Sequence, residues 1–61
     1  MLYELIRLRK ENKLSQLKLG EMIGKKQRMI SKYEREDVEL PVSVAKRIAE
    51  VFDIDWWKLY E

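Results

Sequence analysis

The stretch Leu14-Ser15-Gln16-Leu17-Lys18-Leu19-Gly20-Glu21-Met22-Ile23-Gly24-Lys25-Lys26-Gln27-Arg28-Met29-Ile30-Ser31-Lys32-Tyr33-Glu34-Arg35 decides the fold. It reads as two short helices joined by a glycine turn. Ser15 is a good N-cap, because its hydroxyl can accept from a free N–H of the first turn. Gln16 to Ile23 then carries Leu19, Ile23 and part of Met22 on one apolar side. Gly24 is placed to end that helix, since a positive φ costs glycine nothing. Lys25-Lys26 bridges to a third helix, about Gln27 to Arg35, whose apolar side is Ile30 and Tyr33. Gly20 sits inside the second helix, where glycine costs about 1 kcal/mol relative to alanine. That cost implies a packing reason. The missing side chain lets a neighbour approach, and Ile30 is the expected neighbour.

Outward from this pair the apolar spacing stays helical, and no alternating strand pattern occurs. Leu2, Leu5, Leu8 and Ile6 share a face, which predicts a first helix over 2–12. Asn12-Lys13 is a short connection, and Leu14 is expected to plug back into the core. Glu36 to Leu40 forms an acidic loop ending at Pro41. Ser43 can cap a fourth helix running to Val51 or Phe52, with Val44, Ile48, Val51 and Phe52 as its apolar stripe. Asp55 can cap a short last helix, Trp56 to Tyr60. Trp56 and Leu59 are expected to close the core with Phe52. The reading is an all-α fold of five short helices in one domain, 1–61.

Composition bounds the chemistry. A chain of 61 residues buries roughly 60% of its unfolded surface, so its stability is marginal. It holds no Cys and no His, which excludes disulfides, thiol nucleophiles and histidine acid–base chemistry, and leaves zinc without its usual ligands. No metal or cofactor is expected. No paired carboxylates, nucleophile–base set or phosphate loop can be placed, so an enzyme is not expected. The longest apolar run is Met1-Leu2-Tyr3, far short of the roughly 20 residues of a membrane span. Glu4 and Arg7 interrupt any signal-peptide core. A cytoplasmic protein is expected, of prokaryotic or phage origin.

The net charge of +2 hides an asymmetry. Residues 1–35 carry ten Lys/Arg and four acids, whereas residues 36–61 carry three and seven. Such asymmetry suggests a polyanion-binding face on the first half, but composition alone favours the plainer reading, a solvated surface with scattered lysines.

The glycine spacing Gly20, Gly24 and then Ile30 is that of a helix-turn-helix. From about Leu5 to Leu59 the chain resembles the Cro/phage-repressor (Xre-like) helix-turn-helix regulators. The resemblance rests on Leu5-x-x-Leu8-Arg9, Leu14-Ser15-Gln16, Leu19-Gly20, Ile23-Gly24 and Gln27-x-x-Ile30-Ser31-x-x-Glu34, with Pro41, Ala49 and Ile54 to Leu59 closing the pattern. It departs in three places. Lys26 replaces the usual Ser/Thr cap of the third helix, Lys25 stands where an apolar residue is common, and Glu36-Asp37 stands where glycine is usual. The resemblance implies a compact five-helix, lambda-repressor-like DNA-binding domain, with the helix-turn-helix at about 16–35.

The residues agree with that implication on their own terms. At about 100° per residue, Gln27, Ser31, Arg35, Arg28 and Lys32 fall within an arc of roughly 140°, opposite Ile30 and Tyr33. That arc holds three cations and no acid. A helix fits the major groove, where Arg and Lys donate to guanine and Gln pairs with adenine. Gln27, Arg28, Ser31 and Lys32 are the candidate base readers. Gln16, Lys10, Lys13, Lys25, Lys26 and Arg35 are candidate phosphate contacts, which position without reading sequence. By the resemblance, Arg9 and Glu34 pair between the first and third helices. Val38, Leu40, Trp57 and Tyr60 are candidates for a homodimer contact, and Met22 and Met29 are given to packing. The expected function is a sequence-specific regulator of repressor or Cro type, a homodimer at least on DNA, occupying an inverted-repeat operator. The chain has no room for a sensing domain, so control would come through concentration or a partner. The alternative is a protein-binding module on the same fold, an antitoxin or antirepressor-like partner, served by the acidic second half.

Overall fold

The computed structural model describes all of residues 1–61. Four α-helices run in chain order: α1 (Tyr3–Glu11), α2 (Gln16–Ile23), α3 (Gln27–Arg35) and α4 (Val42–Phe52). A fifth helical segment, Trp56–Tyr60, is 3-10 rather than α. Its Lys58 N–H reaches back only three residues, to the Asp55 carbonyl at 3.1 Å. A segment of five residues closes as easily by such tight bonds as by α ones. Asp55 sits at its N-cap position, but its side chain makes no capping bond.

The caps explain the helix ends. Ser15 Oγ accepts from the Lys18 N–H at 3.0 Å. Gly24 takes φ +75°, and the Lys25 N–H then bonds the Gly20 carbonyl at 2.8 Å. α4 begins one residue before Ser43. Pro41 occupies the N-cap position with φ −65°, and its carbonyl receives the Ala45 N–H at 2.9 Å. Ser43 therefore lies inside the first turn, because proline's fixed φ already suits a helix start. α1 ends on Asn12, whose side-chain amide donates to the Leu8 carbonyl at 2.8 Å.

Twelve buried residues form one core: Leu2, Leu5 and Leu8 before and within α1, Leu19 and Ile23 from α2, Ile30 and Tyr33 from α3, Leu40, then Val44, Ala45 and Ile48 from α4, and Leu59. Phe52, Val51, Ile54, Met29 and Trp56 pack against it, half-buried. Leu14 is half-buried too and stands outside that cluster, so it covers the core rather than plugging it. Met22 is exposed on α2.

Gly20 marks the closest approach in the helix-turn-helix. A Cβ there would collide with the Lys25 carbonyl oxygen, while Ile30 Cγ1 would lie at an ordinary 3.4 Å. The neighbour that requires glycine is thus the turn backbone itself, with Ile30 secondary. The turn closes so tightly because the Lys25 N–H bonds back to Gly20 and carries the carbonyl over it.

Aromatic edges pack within the C-terminal segment. Trp56 meets Trp57 at 5.7 Å and Tyr60 at 6.2 Å, both edge to face. The Tyr60 hydroxyl donates to the Leu40 carbonyl at 2.6 Å. That bond ties the loop after α3 to the 3-10 helix. Leu40 itself is only 7% exposed and belongs to the core. It is withdrawn from any dimer contact, since a buried side chain offers a partner no surface.

Candidate nucleic-acid interface

α3 presents one polar face because Ile30, Tyr33 and Glu34 face inward. Gln27 and Arg28 are exposed at its N-terminal end, preceded by exposed Lys26 and half-buried Lys25. Ser31 and Lys32, further along the arc, are half-buried, so their reach outward is shorter. Arg35 is exposed, and its Nε donates to Asp37 Oδ2 at 3.0 Å. An exposed pair of this kind holds weakly and can exchange for another anion. Lys10 and Lys13 are exposed at the end of α1. Lys26 leaves α3 without a side-chain cap, so the first N–H groups of that helix keep their free donors.

The orientation of α3 is held by a buried carboxylate. Glu34 is only 3% exposed. Arg9 donates to it twice, Nε to Oε2 at 2.6 Å and Nη2 to Oε1 at 3.2 Å. The remaining Arg9 nitrogen, Nη1, donates to the Leu14 carbonyl at 2.9 Å. Gln16 Nε2 completes the set with a bond to Glu34 Oε1 at 2.9 Å. One carboxylate thereby joins α1, the start of α2 and α3. No buried side-chain nitrogen or oxygen is left without a partner. The Gln16 amide N–H is thus engaged with protein. A phosphate at that helix start would meet the backbone N–H groups of the first turn instead.

The Gln16 bond is the feature that residue reading missed. Its signal lies in donor counting. A buried carboxylate has about four lone-pair sites, and one guanidinium fills only part of them. Gln16 stands in the first turn of the next helix and is a natural third donor.

Arg7 belongs to a different group. It donates to Glu4 at 2.7 Å through two nitrogens and to Glu11 at 2.7 Å through a third. Those bonds push the Arg7 guanidinium above its ordinary range and hold Glu4 below the usual carboxylate value. Two carboxylates outweigh the one guanidinium, so Arg7 adds little to the basic face. No helix is long and apolar enough to cross a membrane.

The helix-turn-helix family model matches residues 5–56, most of the chain. Searches of curated proteins and of solved structures return no match. Tight glycine turn, outward polar helix and internal carboxylate lock all lie within the matched span, and the chain belongs to the Cro/phage-repressor (Xre-like) helix-turn-helix family of DNA-binding regulators.

Proposed function

We propose that this protein is a sequence-specific DNA-binding regulator of repressor or Cro type that inserts α3 into the major groove of an operator. The observation that carries the reading is the α3 face: exposed Gln27 and Arg28 at its N-terminal end, with cations along the arc and no acid. In helix-turn-helix proteins the first residues of the second helix reach base edges. Arg28 would donate to guanine O6/N7 and Gln27 would pair with adenine, each good pair discriminating by about 1–3 kcal/mol. Ser31 and Lys32 would add contacts deeper along the helix. Lys10, Lys13, Lys25, Lys26 and Arg35, with the α2 start at Gln16, would meet phosphates and fix register.

The operator would be an inverted repeat occupied by a homodimer. The backbone spans 23 Å at its longest, shorter than the roughly 34–36 Å between half-sites one helical turn apart. Two copies are needed to fill such a site. Trp57, 53% exposed, would anchor the proposed contact, with the exposed Tyr60 and Val38 as its further candidates. Repression would follow from occupancy, a dimer covering the operator and excluding other proteins.

Selection from a randomised duplex pool, with sequencing of the bound fraction, tests the reading. The expected result is an enriched inverted repeat with half-sites one turn apart. No enrichment at low salt would sink base reading by α3.

A further inference from the structure

We infer that the cleft between the α3–α4 loop and the 3-10 helix docks a segment of another protein that carries an apolar side chain flanked by lysine or arginine. The cleft has a volume of about 540 Å³, inside the range of about 300–1,000 Å³ that binding sites occupy. Val38, Val42, Trp56 and Tyr60 form its apolar walls. Val42 and Tyr60 are 45% and 42% exposed, so these walls are accessible to a partner. Glu36 and Glu39 stand on the rim, and no lysine or arginine lines the cleft.

The charge identifies the occupant. Of the loop acids, Asp37 is taken up by Arg35, and Glu36 meets the N-terminal amine at 3.0 Å in an exposed pair. Glu39 has no cationic partner. Its charge is felt in the cleft: the Tyr60 phenol is pushed up first by burial and then by Glu39. Lys46, near the Trp56 ring at 6.0 Å, lines a different cleft beside Asp53 and Asp55. An apolar slot whose rim carries the unpaired Glu39, and Glu36 in an exposed pair that can exchange, complements an apolar residue between cations.

The same rim disfavours the other occupants. DNA is repelled by carboxylates. A second copy seated in the cleft about a two-fold axis would bring the rim acids of one copy toward those of its mate; the dimer contact proposed above is centred instead on Trp57, which does not line the cleft. A head-to-tail copy would bring its basic first half to the cleft, and so take the cations proposed for DNA away from it. Val38 and Tyr60 are shared with the proposed dimer contact, so a docked segment would compete with pairing on the operator. That consequence rests on the proposed dimer; the docking does not.

A two-dimensional NMR titration with a short synthetic peptide of alternating lysine and leucine tests the inference. A lysine–serine peptide and a glutamate–leucine peptide serve as controls. The expected result is saturable movement of the Val38–Val42 amides and the Trp56 indole with the lysine–leucine peptide alone. Binding should be about tenfold weaker in the Glu36→Gln/Glu39→Gln double variant, the size that two rim ion pairs supply. Both acids are exposed, so that variant keeps its fold, checked by its unshifted remaining signals. Equal binding of lysine–serine, equal binding of glutamate–leucine, or an unweakened double variant overturns the proposal. So does dilution-dependent movement of the Val42 amide in the free protein, which would place a second copy inside the cleft rather than on Trp57. Duplex binding measured on the same samples separates a failure here from a failure of the DNA reading.

Discussion

Glu34 shows how a single residue can organise a surface it never reaches. Its carboxylate is buried, and three nitrogens from two other helices converge on it. Breaking a buried pair from one side typically costs about 3–5 kcal/mol, because the remaining charge is stranded. Arg9→Ala is therefore expected to cost at least that much, enough to leave a domain this small largely unfolded in thermal melts. Gln16→Ala removes one of three donors and is expected to cost about 1.5–3 kcal/mol, the worth of a bond to a charged group. Urea titration without DNA checks this. Unchanged stability with weakened duplex binding would show instead that Gln16 serves phosphate. Gly20 gives a second case. Alanine gains about 1 kcal/mol in helix propensity, yet its Cβ would strike the Lys25 carbonyl, a backbone atom that cannot swing aside. Gly20→Ala is expected to lower stability by about 1–2 kcal/mol net, as overpacking does. A melting temperature at or above that of the parent would show that the turn relaxes freely. The Arg9–Glu34 pair was readable only through family resemblance, whereas Gln16 was assigned to phosphate. Periodicity reports which side of a helix a residue occupies but not which acceptor its amide reaches.

At the scale of elements, what could be read depended on whether the deciding force was local. α2 was legible to the residue, because Ser15 and Gly24 are a cap and a stop that act within one turn. Most other ends are set by packing. Lys13, Glu36 and Asp53 adopt positive φ without being glycine. No local preference predicts a Glu or a Lys there, and the surrounding fold holds them in place. Ser43's capping preference puts the start of α4 two residues too late, because proline's fixed φ already starts the helix. The last segment was expected to be one more helix, and its 3-10 winding follows from docking Leu59 fully into the core within five residues. That docking depends on Tyr60. Its hydroxyl donates to the Leu40 carbonyl, and a phenolate can no longer donate. The fold raises the Tyr60 pKa above 10.0, by burial and then by Glu39. A raised value means that the folded chain favours the protonated form. The resulting stability is fully present below the unfolded pKa and is lost as pH rises through the folded one. Tyr60→Phe is expected to cost about 0.5–1.5 kcal/mol at neutral pH and to flatten the alkaline fall in stability. Denaturation midpoints followed from neutral pH upward on both proteins check this. Parallel curves would place the alkaline fall on the lysines instead.

The whole molecule is polarised, and the two ends of its charge make opposite demands. The first 35 residues are basic and the last 26 acidic. A duplex approached by the basic half loses counterions, so affinity falls with salt at a slope of about 0.9 per phosphate contacted. This term carries no sequence information. Lys26 is exposed beside the turn and reads no base in the proposed pose. Lys26→Ala is expected to weaken every duplex alike and to reduce the salt slope by about 1. Arg28 lies two residues further on, exposed on the polar arc of α3. Arg28→Ala is expected to cost about 1–3 kcal/mol on the preferred operator and little on unrelated duplexes, relaxing choice at one or two base pairs. The two variants thus separate positioning from reading on a single scaffold. The acidic half makes the comparison sharper, because its carboxylates disfavour a duplex there. Titrations of both variants on operator and unrelated duplexes across a salt series decide the matter. Equal losses on every sequence for both variants would mean that α3 contributes charge alone, and that the choice of operator lies elsewhere on the molecule.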